Sequence, residues 1–118
     1  MPYAAAKDPV DMVHLARYTG GDTELNAEIL RLFANQAGEL VERLSALVTA
    51  PDAKAWREVN HTIKGAARGI GAFALADVAA KAEPLDPAIS SAEAAAALRE
   101  MAGQTEAVCR FIQDYLSY

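Results

Sequence analysis

The segment from Ala53 to Gly71, AKAWREVNHTIKGAARGIG, carries the residues best suited to chemistry. Lys54, Arg57, His61, Lys64 and Arg68 follow one another at intervals of 3, 4, 3 and 4 residues. Those intervals put all five on one face of a helix. An imidazole open to water is a competent nucleophile near neutral pH, since its ordinary pKa is about 6.5. Phosphoryl transfer asks mainly for positioning and charge stabilisation around such a nucleophile. Lys64, one turn on from His61, is placed to pair with phosphoryl oxygens. Arg57, Arg68 and Lys54 are placed to draw in an acidic partner.

Gly65 adds a second signal. A glycine inside a helix costs roughly 1 kcal/mol relative to alanine, so propensity gives no reason for it. Four residues after His61 it stacks beside the histidine on the helix surface, and its missing side chain clears room for another molecule to reach the ring. Residues 54–70 sum to +3 in a chain of net charge −5, which leaves −8 for the rest. Like charges spaced in this way cost a few tenths of a kcal/mol per pair, and a face built so often meets an anion. A solvated histidine on a wet basic face would give the same charge pattern.

The elements that must hold these residues follow from periodicity. The chain has 118 residues, 53% hydrophobic and 23% charged, which suits one soluble globular domain over 1–118. Alanine accounts for 27 of them, and this favours helix over sheet. Apolar positions recur every three or four residues and nothing of useful length alternates, so the fold class is all-α. Punctuation by Gly and Pro predicts five helices, at approximately 9–18, 22–48, 52–69, 72–83 and 90–117.

Asp8 reads as the first N-cap with Pro9 in the first turn. The second helix carries the stripe Leu25, Ile29, Leu32, Phe33, Leu40, Leu44 and Leu47, interrupted by Gln36. The third packs Trp56, Val59, Ile63, Ala67 and Ile70, which turns the basic face outward. The fourth offers Leu75, Val78, Ala79 and Ala82. Pro84 and Pro87 bracket a turn, and Ser90 with Glu93 resembles a capping box. The fifth runs through Leu98, Met101, Thr105, Val108, Ile112 and Leu116. Short connections between long helices predict an antiparallel up-down-up-down four-helix bundle, with the short first helix capping one end.

His61-Thr62-Ile63-Lys64-Gly65-Ala66-Ala67-Arg68-Gly69-Ile70-Gly71-Ala72 resembles the signature of histidine-containing phosphotransfer (HPt) domains. That signature reads His-x-[Leu/Ile]-Lys-Gly-[Ser/Ala]-[Ser/Ala]-x-x-[hydrophobic]-Gly-Ala. Leu75 fits the leucine after it, and Glu83 the acidic residue that commonly ends the next helix. Phe33, Leu44, Leu47 and Asp52 fit the looser pattern upstream, so the resemblance spans about Leu25 to Glu83.

The resemblance implies a four-helix bundle with His61 exposed on its side and phosphorylated on the imidazole nitrogen farther from the backbone. It implies a multistep two-component phosphorelay in which the donor and acceptor are aspartates of receiver domains, on response regulators and hybrid histidine kinases. A receiver is expected to dock over helices two and three. No cofactor belongs to this chain, and Mg²⁺ is expected on the receiver. Lys64 carries over as the phosphoryl-stabilising residue and Gly65 as the space-making one. The sequence departs at Ala82, where a larger aliphatic is common. It departs again at Ala80, where some members have a polar partner for the histidine ring.

Two other readings remain. The chain could be the phosphoacceptor domain of a chemotaxis-type histidine kinase, although the start Met1-Pro2 favours a stand-alone protein. It could instead be a non-catalytic helical adaptor whose basic face holds an acidic partner. No Gly-x-x-x-x-Gly-Lys-[Ser/Thr] loop is present, so a phosphohistidine carrier is expected rather than an autonomous kinase. His14 reads as a packing or surface residue. Cys109, the single cysteine, reads as a small residue beside the core and admits no internal disulfide. Two histidines and one cysteine without matching spacing give no metal site. The acidic balance disfavours nucleic acid. The absence of a signal peptide and of a long apolar run points to a cytoplasmic protein with no membrane contact. Four mutually filled stripes point to a monomer. The end from Tyr115 to Tyr118 reads as a frayed or packed terminus.

Overall fold

A computed structural model of the chain describes residues 8–117. The expectations about a signal peptide and about the terminus therefore lie outside the described residues where they touch positions 1–7 and Tyr118. Five helices are present among the described residues: α1 (Met12–Thr19), α2 (Thr23–Thr49), α3 (Ala53–Ile70), α4 (Phe73–Ala82) and α5 (Ser91–Leu116). No strand occurs among the described residues.

Helices α2 to α5 form a closed ring, each packed on its sequence neighbour and α5 back on α2. Trp56 at the start of α3 meets Ala82 at the end of α4, so these two run antiparallel. Thr23 and Glu24 at the start of α2 share a groove with Tyr115 and Leu116 at the end of α5, which makes that pair antiparallel too. The core is assembled from Leu30, Phe33, Leu44, Trp56, Ile63, Leu75, Met101 and Ile112, with alanines letting the helices approach. Burying such side chains contributes on the order of 2 kcal/mol each.

Helix α1 closes the end where α2 begins and α3 stops. Asp11 donates its N–H to the Gly71 carbonyl at 2.9 Å. Gly71 ends α3 in the left-handed conformation, with φ 84°, and a Cβ there would lie 2.7 Å from the Asp11 carbonyl oxygen. Glycine is required at this position on both counts.

Several expected details are corrected. The first helix begins at Met12, not Pro9. Its N-cap is Asp11, whose carboxylate accepts the Val13 and His14 N–H groups at 3.0 and 3.1 Å. Asp8 and Pro9 belong to the preceding bend, held there because Val10 is fully buried. The buried stripe of α2 is Asn26, Leu30, Phe33, Ala37, Leu40 and Leu44. Leu25 and Leu32 were expected inside and are 40% and 64% exposed, because two adjacent faces of α2 are apolar and only one can meet the core. No capping box forms at α5, where the Ser90 side chain makes no cap hydrogen bond. Asp86 organises that turn, its carboxylate accepting from Ala88 and its carbonyl from Ile89 and Ser90.

Candidate functional site

Helix α3 has a strongly one-sided distribution of apolar residues. Trp56, Val59, Ile63, Ala67 and Ile70 are buried, as the periodicity predicts, and Asn60 joins them. The carboxylate of Asp52 caps the helix by accepting from the Ala55 N–H at 3.1 Å. With that face fixed inward, His61 projects outward with its side chain 70% exposed. Gly65 lies open, since a Cβ there would meet nothing within 4 Å.

The site is completed by Glu83, immediately after α4. One carboxylate oxygen lies 3.3 Å from His61 Nδ1 and the other 2.6 Å from Lys64 Nζ. Lys64 and Glu83 are both largely covered, at 19% and 20% exposure. The charged hydrogen bond from Lys64 holds the Glu83 carboxyl below its ordinary range, partial burial opposes this, and His61 adds to the lowering. An ionised carboxylate only accepts hydrogen bonds, so the contact favours the form of His61 that carries its proton on Nδ1.

The basic residues are distributed unevenly. Arg57 lines a shallow depression with Glu58, His61, Thr62 and Glu83. Arg68 is exposed in the last turn of α3. Lys54 lies 4.0 Å from Glu58, both well exposed, so its charge is partly answered within the chain. Lys64, the residue expected to meet phosphoryl oxygens, is paired with Glu83 in this structure. The sequence marked Glu83 only as the end of a pattern. Its role needed α4 folded back on α3, a 19-residue separation from Lys64 that no local spacing encodes.

The α2 and α3 flanks meet beside this site. Neighbouring helical residues differ by about 100°. On α2, Phe33 faces the core and Ala34 shares a groove with α5, so Leu32 turns to the α3 side. On α3, Ile63 faces the core and Lys64 meets Glu83 beside α4, so Thr62 turns toward α2. The seam therefore combines exposed Leu32 with the open surface at Gly65 and Gly69.

The remaining candidates are placed away from His61. The His14 ring meets those of Tyr18 and Phe73 edge-on at 5.3 and 5.0 Å, a packing arrangement. Cys109 is half-buried on α5, and burial raises its thiol pKa. Among the described residues no cluster of three or more His, Cys, Asp or Glu side chains could hold a metal ion. No helix among them is long and apolar enough to cross a membrane.

The comparisons with known proteins agree with this geometry. The sequence profile of the family described as Hpt domain matches residues 28–111. Comparison with curated proteins gave no match. Among solved structures, the chain is similar to the crystal structure of histidine-containing phosphotransfer protein B (HptB) from Pseudomonas aeruginosa PAO1. The TM-score is 0.76 and the identity 25%, over 92% of this chain and 96% of that one. The matched span contains α3, Glu83 and most of the bundle, and on that basis the chain belongs to the Hpt domain family.

Proposed function

We propose that this protein carries a phosphoryl group on His61 between aspartates of two receiver domains in a phosphorelay. The observation that carries the reading is the Glu83 carboxylate at 3.3 Å from His61 Nδ1. It favours the tautomer with Nδ1–H and directs the Nε2 lone pair outward. Nε2 attacks the phosphorus of an aspartyl phosphate. The N–P bond forms, the P–O bond to the aspartate breaks, and the aspartate leaves as a carboxylate. The phosphorylated ring is cationic, and its Nδ1–H stays against Glu83. The second receiver reverses these steps. Any Mg²⁺ in the reaction belongs to the receiver.

Lys64 neutralises the transferred group, Gly65 leaves space for the receiver's acidic pocket, and Arg57 and Arg68 supply attraction at its rim. Lys54 has a smaller part because Glu58 lies beside it. The receiver docks over the α2–α3 seam, with Leu32 and the glycines as its apolar floor. The whole chain acts as one cytoplasmic domain and a monomer in this scheme.

Incubation with a ³²P-labelled phosphoreceiver tests the reading. Label is expected on the protein as an acid-labile, alkali-stable adduct, absent in His61→Gln. Binding of the receiver without label in wild type would instead support a non-catalytic adaptor.

A further inference from the structure

We propose that Trp56 is a positioning residue for this site, acting through the end of α4; the proposal rests on His61 being the phosphoacceptor. Trp56 is fully buried, and its indole Nε1–H donates to the Ala82 carbonyl at 2.8 Å. That carbonyl is among the last four of α4, which have no partner inside their own helix. It also accepts the Leu85 N–H at 3.1 Å. The next residue is Glu83, which holds both His61 and Lys64. One indole therefore fixes where α4 ends against α3, and the carboxylate that orients the imidazole starts one residue beyond the fixed point.

Helix α4 needs such an anchor. It has 10 residues, its N-cap is Ala72 with no side-chain hydrogen bond, and its C-cap is Glu83 rather than glycine. Isolated helices of this length are marginal. Glu83 precedes Pro84 and yet has φ −51° and ψ −45°. A residue before proline is normally pushed out of the right-handed helical region, so contacts from outside the segment hold it there. The Trp56 bond to Ala82 is one such contact, and the pairs of Glu83 with Lys64 and His61 are others. The main-chain side of Trp56 is also fixed: buried Asn60 donates its amide to the Trp56 carbonyl at 3.0 Å.

The chain has one tryptophan, which makes the N–H separable from the bulk. Biosynthetic replacement by benzothienylalanine keeps the ring shape and puts sulfur where the N–H was; Trp56→Phe is the genetic counterpart. The analogue protein is expected to keep its helix content and cooperative unfolding. Its His61 ¹⁵N signals should move from the Nδ1–H form toward the mixture of a free imidazole. Labelling by a phosphoreceiver should slow roughly three- to tenfold, the weight of one buried hydrogen bond. In a Glu83→Gln background the same replacement should slow labelling no further, because the effect passes through Glu83.

Unchanged ¹⁵N signals and rate in the analogue protein overturn the proposal. An equal loss in both backgrounds also overturns it, since that is the mark of a core-filling role alone. If Trp56→Phe does not fold, the analogue decides. Failure of the underlying reading looks different: wild type would then take no label, or His61→Gln would still take it, whatever the analogue does.

Discussion

The Lys64 ammonium lies 2.6 Å from the Glu83 carboxylate, so the lysine one turn on from the proposed phosphoacceptor is already engaged in the resting protein. A phosphoryl group on His61 would compete with Glu83 for it. This arrangement keeps a covered lysine paired when no phosphate is present, since a charge with little exposure and no partner is costly. Lys64→Ala removes the cation and leaves Glu83 with His61 alone. The phosphohistidine lifetime is expected to shorten, or transfer to slow, by roughly tenfold, the weight of one charge-assisted hydrogen bond. Thermal unfolding should show the fold intact. No change in either kinetic quantity would remove Lys64 from the site.

The same pair sets an acid limb for stability. The Glu83 carboxyl titrates below its ordinary value of 4.5 in the folded protein, chiefly because of Lys64. A depressed carboxyl stabilises the fold above its unfolded pKa, and the contribution disappears as pH falls through the folded value. Wild type should therefore lose more stability than Glu83→Gln when urea unfolding is repeated at pH 6, 4.5 and 3. Parallel losses in the two proteins would place the acid sensitivity elsewhere.

Gly65→Gln separates helix stability from access. The backbone at Gly65 is helical and a Cβ meets nothing within 4 Å, so the side chain enters without strain. The helix should gain about 0.5 kcal/mol from propensity. Labelling by a phosphoreceiver should nonetheless slow at least several-fold, because bulk returns one turn from the ring. Wild-type rates in a stabilised Gly65→Gln protein would show that the gap beside His61 has no part in access.

Docking can be tested apart from chemistry at Leu32. This side chain is 64% exposed on the seam between α2 and α3. Leu32→Asp adds charge without opening a cavity, and its effect on folding should stay within about 0.5 kcal/mol. A small phosphoramidate donor needs no docking surface and should label His61 at the wild-type rate. Transfer from a phosphoreceiver should weaken roughly tenfold, the loss of one apolar contact at a protein interface. Equal effects with both donors would move the receiver footprint off α2.

The residues of α3 show what a sequence can and cannot reveal here. Trp56, Val59, Ile63, Ala67 and Ile70 share one phase of the helical period, and that phase alone sends His61 outward. Neighbouring α2 was harder. Leu25 and Leu32 lie on one apolar face and Leu30 and Leu44 on another, and hydrophobicity does not say which face α3 and α5 will cover. Asp8 and Asp11 are both competent N-caps, and the choice fell to Asp11 because its backbone is tied to Gly71. Glu83 and Trp56 act across turns and helix pairs, so their roles appear only when α4 is packed. Local periodicity located the histidine; the partners of the histidine depended on tertiary packing.

Gly65 and Gly71 sit six residues apart in one motif and answer to different physics. Gly71 has φ 84° and the Asp11 carbonyl oxygen would lie 2.7 Å from its Cβ. A left-handed residue with a side chain costs about 1–2 kcal/mol. Relieving the clash also strains the Asp11 N–H bond to the Gly71 carbonyl, worth about 1 kcal/mol. Gly71→Ala should therefore destabilise the fold by about 2–3 kcal/mol in urea unfolding, with α1 loosened first. Hydrogen exchange should rise at the Asp11 amide before it rises in α3. At temperatures where the variant remains folded, labelling of His61 should stay close to wild type, because the imidazole, Lys64 and Glu83 are held at the other end of α4. A selective loss of labelling in folded Gly71→Ala would mean that α1 helps to order the site, and the separation of the two glycines argued here would fail.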